Sequence, residues 1–523
     1  QAGRDAIRRY QEQPPYAYII PREQRDPMAA VELLRRLAFN GVRVHELERA
    51  AAADGTTHAA GAWVIPMDQE FSELVRQLME VQVYPDLREH PDGPPEQPYD
   101  AAGWTLPYLM DVRAIAVQSP LSPEFRDALE PVRGQALELS PDADLRTHPV
   151  AAGILPSPTT ISGSGATLSV DPAENNAFRL INRALAVGGT VRFDAGPPAA
   201  AAYGPDIDAE DGDGEAPIAR DVRALAEASS ARYLVSGVSE DSLEQWVGEL
   251  AVRAERMDAN GPPIRPSIAL YKPWVPSMDE GWTRWLFDTY ELPYATLTNA
   301  DMHAGTLRDR FDVIVIASDR PRTLLDGYAE GTVPPRYAGG IGEAGVRELD
   351  AFVRAGGTLV CLNESSDFAI ELLHLPVKNV LADLERDEFY ADGSILEVTT
   401  NASHPVMAGM PERANIFFDA SPAFTTLDGF DGVALAKYAE TGSPLLSGYL
   451  LGEEKLNGFA AAIDVRHGAG HVILIGFRPQ WRGQPHGTFR VLFNAALFGG
   501  EHAASASAIT GFWSAPNEEP PSM

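Results

Sequence analysis

The sequence predicts an α/β protein of several doubly wound lobes with mostly parallel sheets, and three observations carry that expectation. Short apolar runs of strand length alternate with amphipathic helical stretches along nearly the whole chain. The 523 residues exceed what one hydrophobic core holds, so more than one domain is expected. Hydrophobic residues make up 45% and charged residues 22%, ordinary values for a chain that folds onto cores.

Residues 1–15 read as the last turns of a helix entering a Pro-rich linker. A first α/β lobe is expected over 16–150. It opens with the strand "YAYIIP", then a helix capped by Asp26, with Pro27 at its first position and Val31, Leu34, Leu37 and Ala38 as its apolar stripe. "GVRVHEL" and "AWVIP" follow as strands and "EFSELVRQLMEV" as a helix, while Tyr84 to Trp104 reads as a long loop. A second lobe is expected over 151–262, from "GATLSV", the helix "PAENNAFRLINRALAV", "GTVRF", "ARYLVSG" and the helix "SLEQWVGELAVRAERM". The acidic, Ala/Pro-rich stretch 194–217 interrupts it as a surface loop. A third domain is expected over 263–500, with strands "SIALY", "FDVIVIAS", "GTLVCL" and "GHVILIGF", and 501–523 is expected to be an extended tail.

The formal charge of 42 − 74 = −32 argues against nucleic acid or an anionic membrane surface as partner. No apolar run reaches the length of a membrane span. The single cysteine, Cys361, excludes an internal disulfide and a cysteine-based zinc site. The chain opens on Gln1 without a signal segment, and is expected to be a trimmed form or a piece of something longer.

No motif is a strong catalytic signature. Gly340, Gly342 and Gly345 in "GGIGEAG" have dinucleotide-fingerprint spacing, but "VPPRYA" before them lacks the strand that fingerprint needs. "HELE", from His45 to Glu48, has the His-x-x-Glu spacing of a zinc site, with His148 far downstream. His45 ends an amphipathic strand, however, and His148 lies in a Pro-rich stretch, so a structural role is expected for both. His467 and His471 in "HGAGH" flank a glycine turn, and no metal site is expected there. The loop from Asp206 carries Asp211 where a calcium loop needs glycine. His404 and His486, each beside a proline turn, are expected to be structural.

The third domain resembles the class I glutamine amidotransferase-like fold, a flavodoxin-like, Rossmann-type arrangement. The resemblance rests on "GGTLVCLNESSDFAIELL" and "GFRPQ". In the active family a cysteine sits at an elbow after the strand, and a later His-Pro-Glu supplies its partners. Matched to that pattern, Cys361 falls inside the strand, Asn363 at the nucleophile position, Arg478 at the histidine and Gln480 at the glutamate. Asparagine is no useful nucleophile and arginine no base near neutral pH, so the resemblance implies a catalytically inactive domain. Asn363, Glu364, Arg478, Gln480 and Arg482 form a candidate degenerate pocket, suited by composition to a carboxylate or sugar, or else pairing with one another.

A wider resemblance, carried by "PYAYIIPREQRDPMAAVELLRRLAFNGVRVHEL", "QVYPDLREHPDGPPEQPYDAAGWTLPYLMDV" and "SIALYKPWVPSMDEGWTRWLFDTYELPYATL", is to the region after the catalytic domain of large bacterial zinc carboxypeptidases. It implies a parent metallopeptidase whose zinc lies in an N-terminal peptidase domain outside these residues, so no catalytic residue, metal ligand or cofactor is expected in this chain. The expected role is that of a non-catalytic accessory region serving substrate presentation, surface attachment or self-association, outside the cell or in the periplasm. Its expected partners are the peptidase domain of the same precursor and further copies of itself. The alternative is a stand-alone ligand-binding or assembly protein that uses the degenerate pocket.

Overall fold

The computed structural model describes residues 2–85, 87–88, 90, 95–132, 145, 148–196, 230–505 and 511–516. The acidic loop expected over 194–217, with Asp206 and Asp211, lies almost wholly outside them. The chain divides into two compact units, the smaller containing residues 1–82 and 104–158, the larger containing 83–103, 159–200 and 228–523. Among the described residues no helix is long and apolar enough to cross a membrane.

In the smaller unit, helix Pro27–Phe39 begins where its sequence signals it: the Asp26 side chain accepts the Met28 backbone N–H, and Pro27 occupies the first turn. Val31, Leu33, Leu34 and Leu37 are buried on its inner face. The sheet runs Ile115–Val117, Ala17–Ile20, Trp63–Pro66, His45–Leu47, Leu129–Pro131, and every neighbouring pair is antiparallel. Parallel pairing was expected from the strand–helix–strand reading. The strands joined by helix Pro27–Phe39 are not neighbours, because Trp63–Pro66 lies between them. Strands His45–Leu47 and Trp63–Pro66 are instead linked through the small hairpin Ala51–Ala53/Thr56–His58. Asp54 and Gly55 turn that hairpin with φ of 47° and 75°, the pair of positive values that a tight two-residue turn requires.

The larger unit contains two further sheets. Four strands of the first follow the chain order strand, helix, strand, strand, helix, strand, and lie side by side as Thr190–Asp194, Arg232–Ser236, Thr167–Val170, Ala254–Met257. Each helix thus joins strands separated by one other, a split β-α-β arrangement, and the four pair antiparallel rather than parallel. The stretch read as one long helix to Met257 stops at Leu250. Ala251 takes φ 52° and ends it, and Ala254–Met257 becomes a strand.

The parallel core is in the large twelve-stranded sheet. Strands Ala295–Leu297, Ile268–Tyr271, Val313–Ile316, Thr358–Leu362 and Gly470–Ile475 are adjacent in that order, and all pair parallel. This is the flavodoxin-like order 2-1-3-4-5, with its switch point between the first and third of these strands in the chain. Val313, Ile314, Val315 and Ile316 are all buried, as a strand covered on both faces must be. From Gly470–Ile475 the sheet continues antiparallel through Ala460–His467, Gly432–Lys437, Ser394–Thr400 and Arg413–Phe418. Beyond the parallel core, Phe178 and Tyr233 stack edge-on, and Phe178 also meets Phe493, so both sheets of this unit share one core. At the start of the tail, Gly500–Ser505 is helical.

Candidate functional site

Chains of this topology bind ligands beyond the carboxyl ends of their parallel strands. Five segments converge there in the larger unit, four from the parallel strands and one from the antiparallel extension. Asp279 lies in the first turn of helix Met278–Thr289, which follows strand Ile268–Tyr271. Ser318 and Asp319 follow Val313–Ile316, Asn363 and Glu364 follow Thr358–Leu362, and Arg478 and Gln480 follow Gly470–Ile475. Asp419 and Ser421 arrive from the antiparallel extension, just past Arg413–Phe418.

Asn363 stands at the elbow with φ 51°, a left-handed conformation that asparagine tolerates better than most residues. Its backbone N–H is held by the Ile475 carbonyl at 2.7 Å. Its side-chain Nδ2 donates to Ser318 Oγ, the Asp419 carbonyl and the Ala420 carbonyl at 3.3–3.4 Å, and its Oδ1 accepts from Ser421 Oγ at 2.6 Å. The residue is fully buried. Both amide atoms are spent on holding three loops together.

Arg478 is 8% exposed and sits at the centre. Its Nη1 donates to Asp279 Oδ2, its Nε lies 3.0 Å from the Asp419 carbonyl and 3.2 Å from Asp419 Oδ2, and its Nη2 is 3.9 Å from Glu364 Oε2. Burial works against the Arg478 cation, and the carboxylates around it outweigh that, so its pKa rises. Desolvation raises Asp279, Asp319, Glu364 and Asp419 above their ordinary values; neighbouring carboxylates add to it for Asp319, Glu364 and Asp419, while Arg478 opposes it for Asp279, Glu364 and Asp419. Gln480 Nε2 donates to Thr283 Oγ1 at 3.0 Å, and that hydroxyl in turn donates to the Asp279 carbonyl at 2.8 Å.

Of the five residues expected here, Asn363, Glu364, Arg478 and Gln480 therefore meet at one place. Arg482 is turned aside, its guanidinium 4.3 Å over the Trp481 ring with φ 48°, and acts on Asp279 and Asp419 only through its charge. Asp279, Asp319 and Asp419 escaped the sequence reading. The signal for the first two was available, since each follows closely on an apolar strand of the parallel core. Asp419 depends on the antiparallel extension, which has no local signature.

Cys361 lies inside strand Thr358–Leu362, fully buried, with its thiol pushed up to about 12 by that burial. It is expected to resist alkylation by iodoacetamide in the folded chain and to react only after unfolding, which mass spectrometry with and without denaturant would read. Rapid labelling of the folded chain would contradict its placement.

The remaining motifs have structural roles. Gly340, Gly342 and Gly345 lead into helix Gly342–Arg354 after the single turn Pro335–Tyr337, with no strand before them. His45 is a strand residue, and His148 caps helix Pro149–Gly153 by accepting the Ala151 N–H on Nδ1. His467 and His471 sit on either side of the hairpin turn between Ala460–His467 and Gly470–Ile475. His486 packs on Phe489 with ring centres 4.6 Å apart. His404 Nε2 and His471 Nδ1 both face the Asp464 carboxylate, at 3.3 and 2.9 Å, and all three are buried. Among the described residues no group of three or more His, Cys, Asp or Glu side chains is arranged to hold a metal ion.

No protein-family model and no curated protein matches the chain. Solved structures similar to part of it include a β-galactosidase from Bacillus circulans, at 10% identity and a TM-score of 0.27, covering 45% of this chain and 31% of that enzyme. A GMP synthase-type protein from Thermoplasma acidophilum matches at 8% identity and 0.29, covering 44% of this chain and 93% of its own. A ThuA-like protein from Bacteroides uniformis matches at 11% identity and 0.25, covering 44% and 89%. This chain spans about a third of the β-galactosidase, and likeness at these scores says nothing about chemistry.

Proposed function

We propose that this chain is a non-catalytic accessory region of a zinc carboxypeptidase-like protein acting outside the cell or in the periplasm. In this reading it serves substrate presentation, surface attachment or self-association, beside a peptidase domain that carries the zinc. The observation that supports a non-catalytic role is the elbow itself. Asn363, which the amidotransferase-like pattern puts at the nucleophile position, has its amide fully hydrogen-bonded, and Arg478, which that pattern puts at the histidine position, has its guanidinium bound among carboxylates. An amide held that way does not attack a carbonyl, and a guanidinium does not accept a proton near neutral pH. The link to a peptidase rests on the sequence phrases. Zinc analysis of the purified chain, with light scattering for its mass, tests the reading. Zinc well below one per chain and mass above the monomer are expected, whereas one tightly held zinc per monomer would overturn it.

A second reading, ligand binding at the same strand ends, is favoured by one specific feature. Asp279 Oδ1 and Gln480 Oε1 are buried and have no hydrogen-bond partner among the described residues. A buried acceptor without a donor costs on the order of 1–3 kcal/mol, a cost that a ligand's donor groups would remove.

A further inference from the structure

We infer that residues 83–84 and 95–103 form a strap that two copies of this chain exchange, the larger unit of each receiving the strap of the other. The inference rests on the self-association part of the accessory reading and names the surface that carries it.

Three observations carry it. First, the strap is held as a bound peptide is, along its backbone. Within the larger unit the Ala102 and Gly103 N–H groups both donate to the Gly393 carbonyl, at 2.9 and 2.7 Å. Tyr390 Oη donates to the Pro98 carbonyl at 2.7 Å, and Val83 pairs with Gly448 as a parallel neighbour. The fit is close and built on glycine. A Cβ on Gly103 would lie 2.3 Å from the Ser447 carbonyl oxygen, and one on Gly393 2.3 Å from Ala101 Cα. Second, the strap can leave without opening a core. Among the described residues, none of its side chains belongs to a hydrophobic cluster. The chain flanking it is clasped separately in the smaller unit, where Gln82 Oε1 accepts the Trp104 N–H at 2.8 Å and Thr105 Oγ1 donates to the Glu80 carbonyl at 2.7 Å. Third, the strap leaves apolar groups in water: Val83 is 84% exposed and Tyr99 is fully exposed. A second copy carries the same segment, so exchange keeps every contact of the single chain. Covering Val83 and Tyr99 against the neighbouring copy is the surplus that favours the dimer.

The test is size-exclusion chromatography with light scattering on the full chain and on Tyr390→Phe. That variant keeps the ring and removes the donor to Pro98, and its folding is checked by circular dichroism. A dimer is expected in both proteins. After dilution, isolated dimer is expected to relax to monomer at least about fivefold faster in the variant, as loss of one neutral hydrogen bond implies. The final ratio of monomer to dimer is expected to stay the same, because the closed monomer and the exchanged dimer lose the same bond. Fast relaxation with an unchanged ratio separates exchange from an ordinary interface. A ratio shifted toward monomer would describe a fixed contact between closed copies and overturn the exchange, leaving self-association standing. Relaxation and ratio both unchanged would place self-association elsewhere and overturn the inference alone. A monomer at every concentration would overturn both the inference and the self-association reading.

Discussion

Replacing Arg478 by alanine is expected to lower the stability of the larger unit by about 3–5 kcal/mol, the cost of leaving a buried charge without its partner. The geometry explains the size of the effect. Asp279 is 5% exposed, and its Oδ2 is bound by Arg478 Nη1, while Asp419 and Glu364 lean on the same guanidinium. Without the cation, three carboxylates face one another at the strand ends, and those half-buried at the rim respond by taking up protons. A double replacement, Arg478→Met with Asp279→Leu, removes both members of the deepest pair and is expected to recover most of the loss. Urea unfolding followed by fluorescence measures both. A single-variant loss below about 1 kcal/mol would mean the guanidinium is not the keystone of the cluster.

The second large effect lies at the other end of the parallel strands. Asp464 accepts from His404 Nε2 and His471 Nδ1, and His404 Nδ1 accepts the Val406 N–H, so the proton of a neutral His404 sits on Nε2 and points at the carboxylate. Asp464 is buried, which by itself would raise its pKa, but the hydrogen bonds from His404 and His471 hold it at about 2. Asp464→Ala leaves two buried ring N–H groups without an acceptor and is expected to cost about 3 kcal/mol or more. The sign of the pH dependence follows. The depressed Asp464 contributes stability that is complete above the ordinary carboxylate value of 3.8 and is lost as pH falls toward 2. His502, 2% exposed and packed on Phe498 and Phe193, is lowered to about 3 by burial and then by His404. The unfolded chain therefore takes up that proton below about 6.5 while the folded chain refuses it, and stability declines between 6.5 and 3 by up to about 1.4 kcal/mol per pH unit. Urea unfolding at pH 7.5, 6 and 5 is expected to show this decline, and His502→Phe is expected to flatten it. A slope unchanged in that variant would assign the acid sensitivity elsewhere.

Much of this was legible because it is local. The Asp26-Pro27 signal marked a helix start, apolar runs such as "FDVIVIAS" marked buried strands, and a polar residue just past such a run marked the crevice, as with Asn363 and Glu364. Strand direction was not legible outside the parallel core. The periodicity of Arg232–Ser236 is the same whether its neighbour runs with it or against it, and only the split β-α-β connection decides. Within the crevice, the sequence could align Arg478 with a lost histidine but could not show that Asp279, 199 residues away, would bind it.

The proposal that the elbow is non-catalytic is tested most directly by hydrolysis. The purified chain, supplied with zinc, is incubated with glutamine and with a C-terminally extended peptide, beside Asn363→Ala and a buffer blank. Rates equal to the blank for both proteins are the expected result. A rate above the blank in the native chain that disappears in Asn363→Ala would contradict it and return the elbow to catalysis.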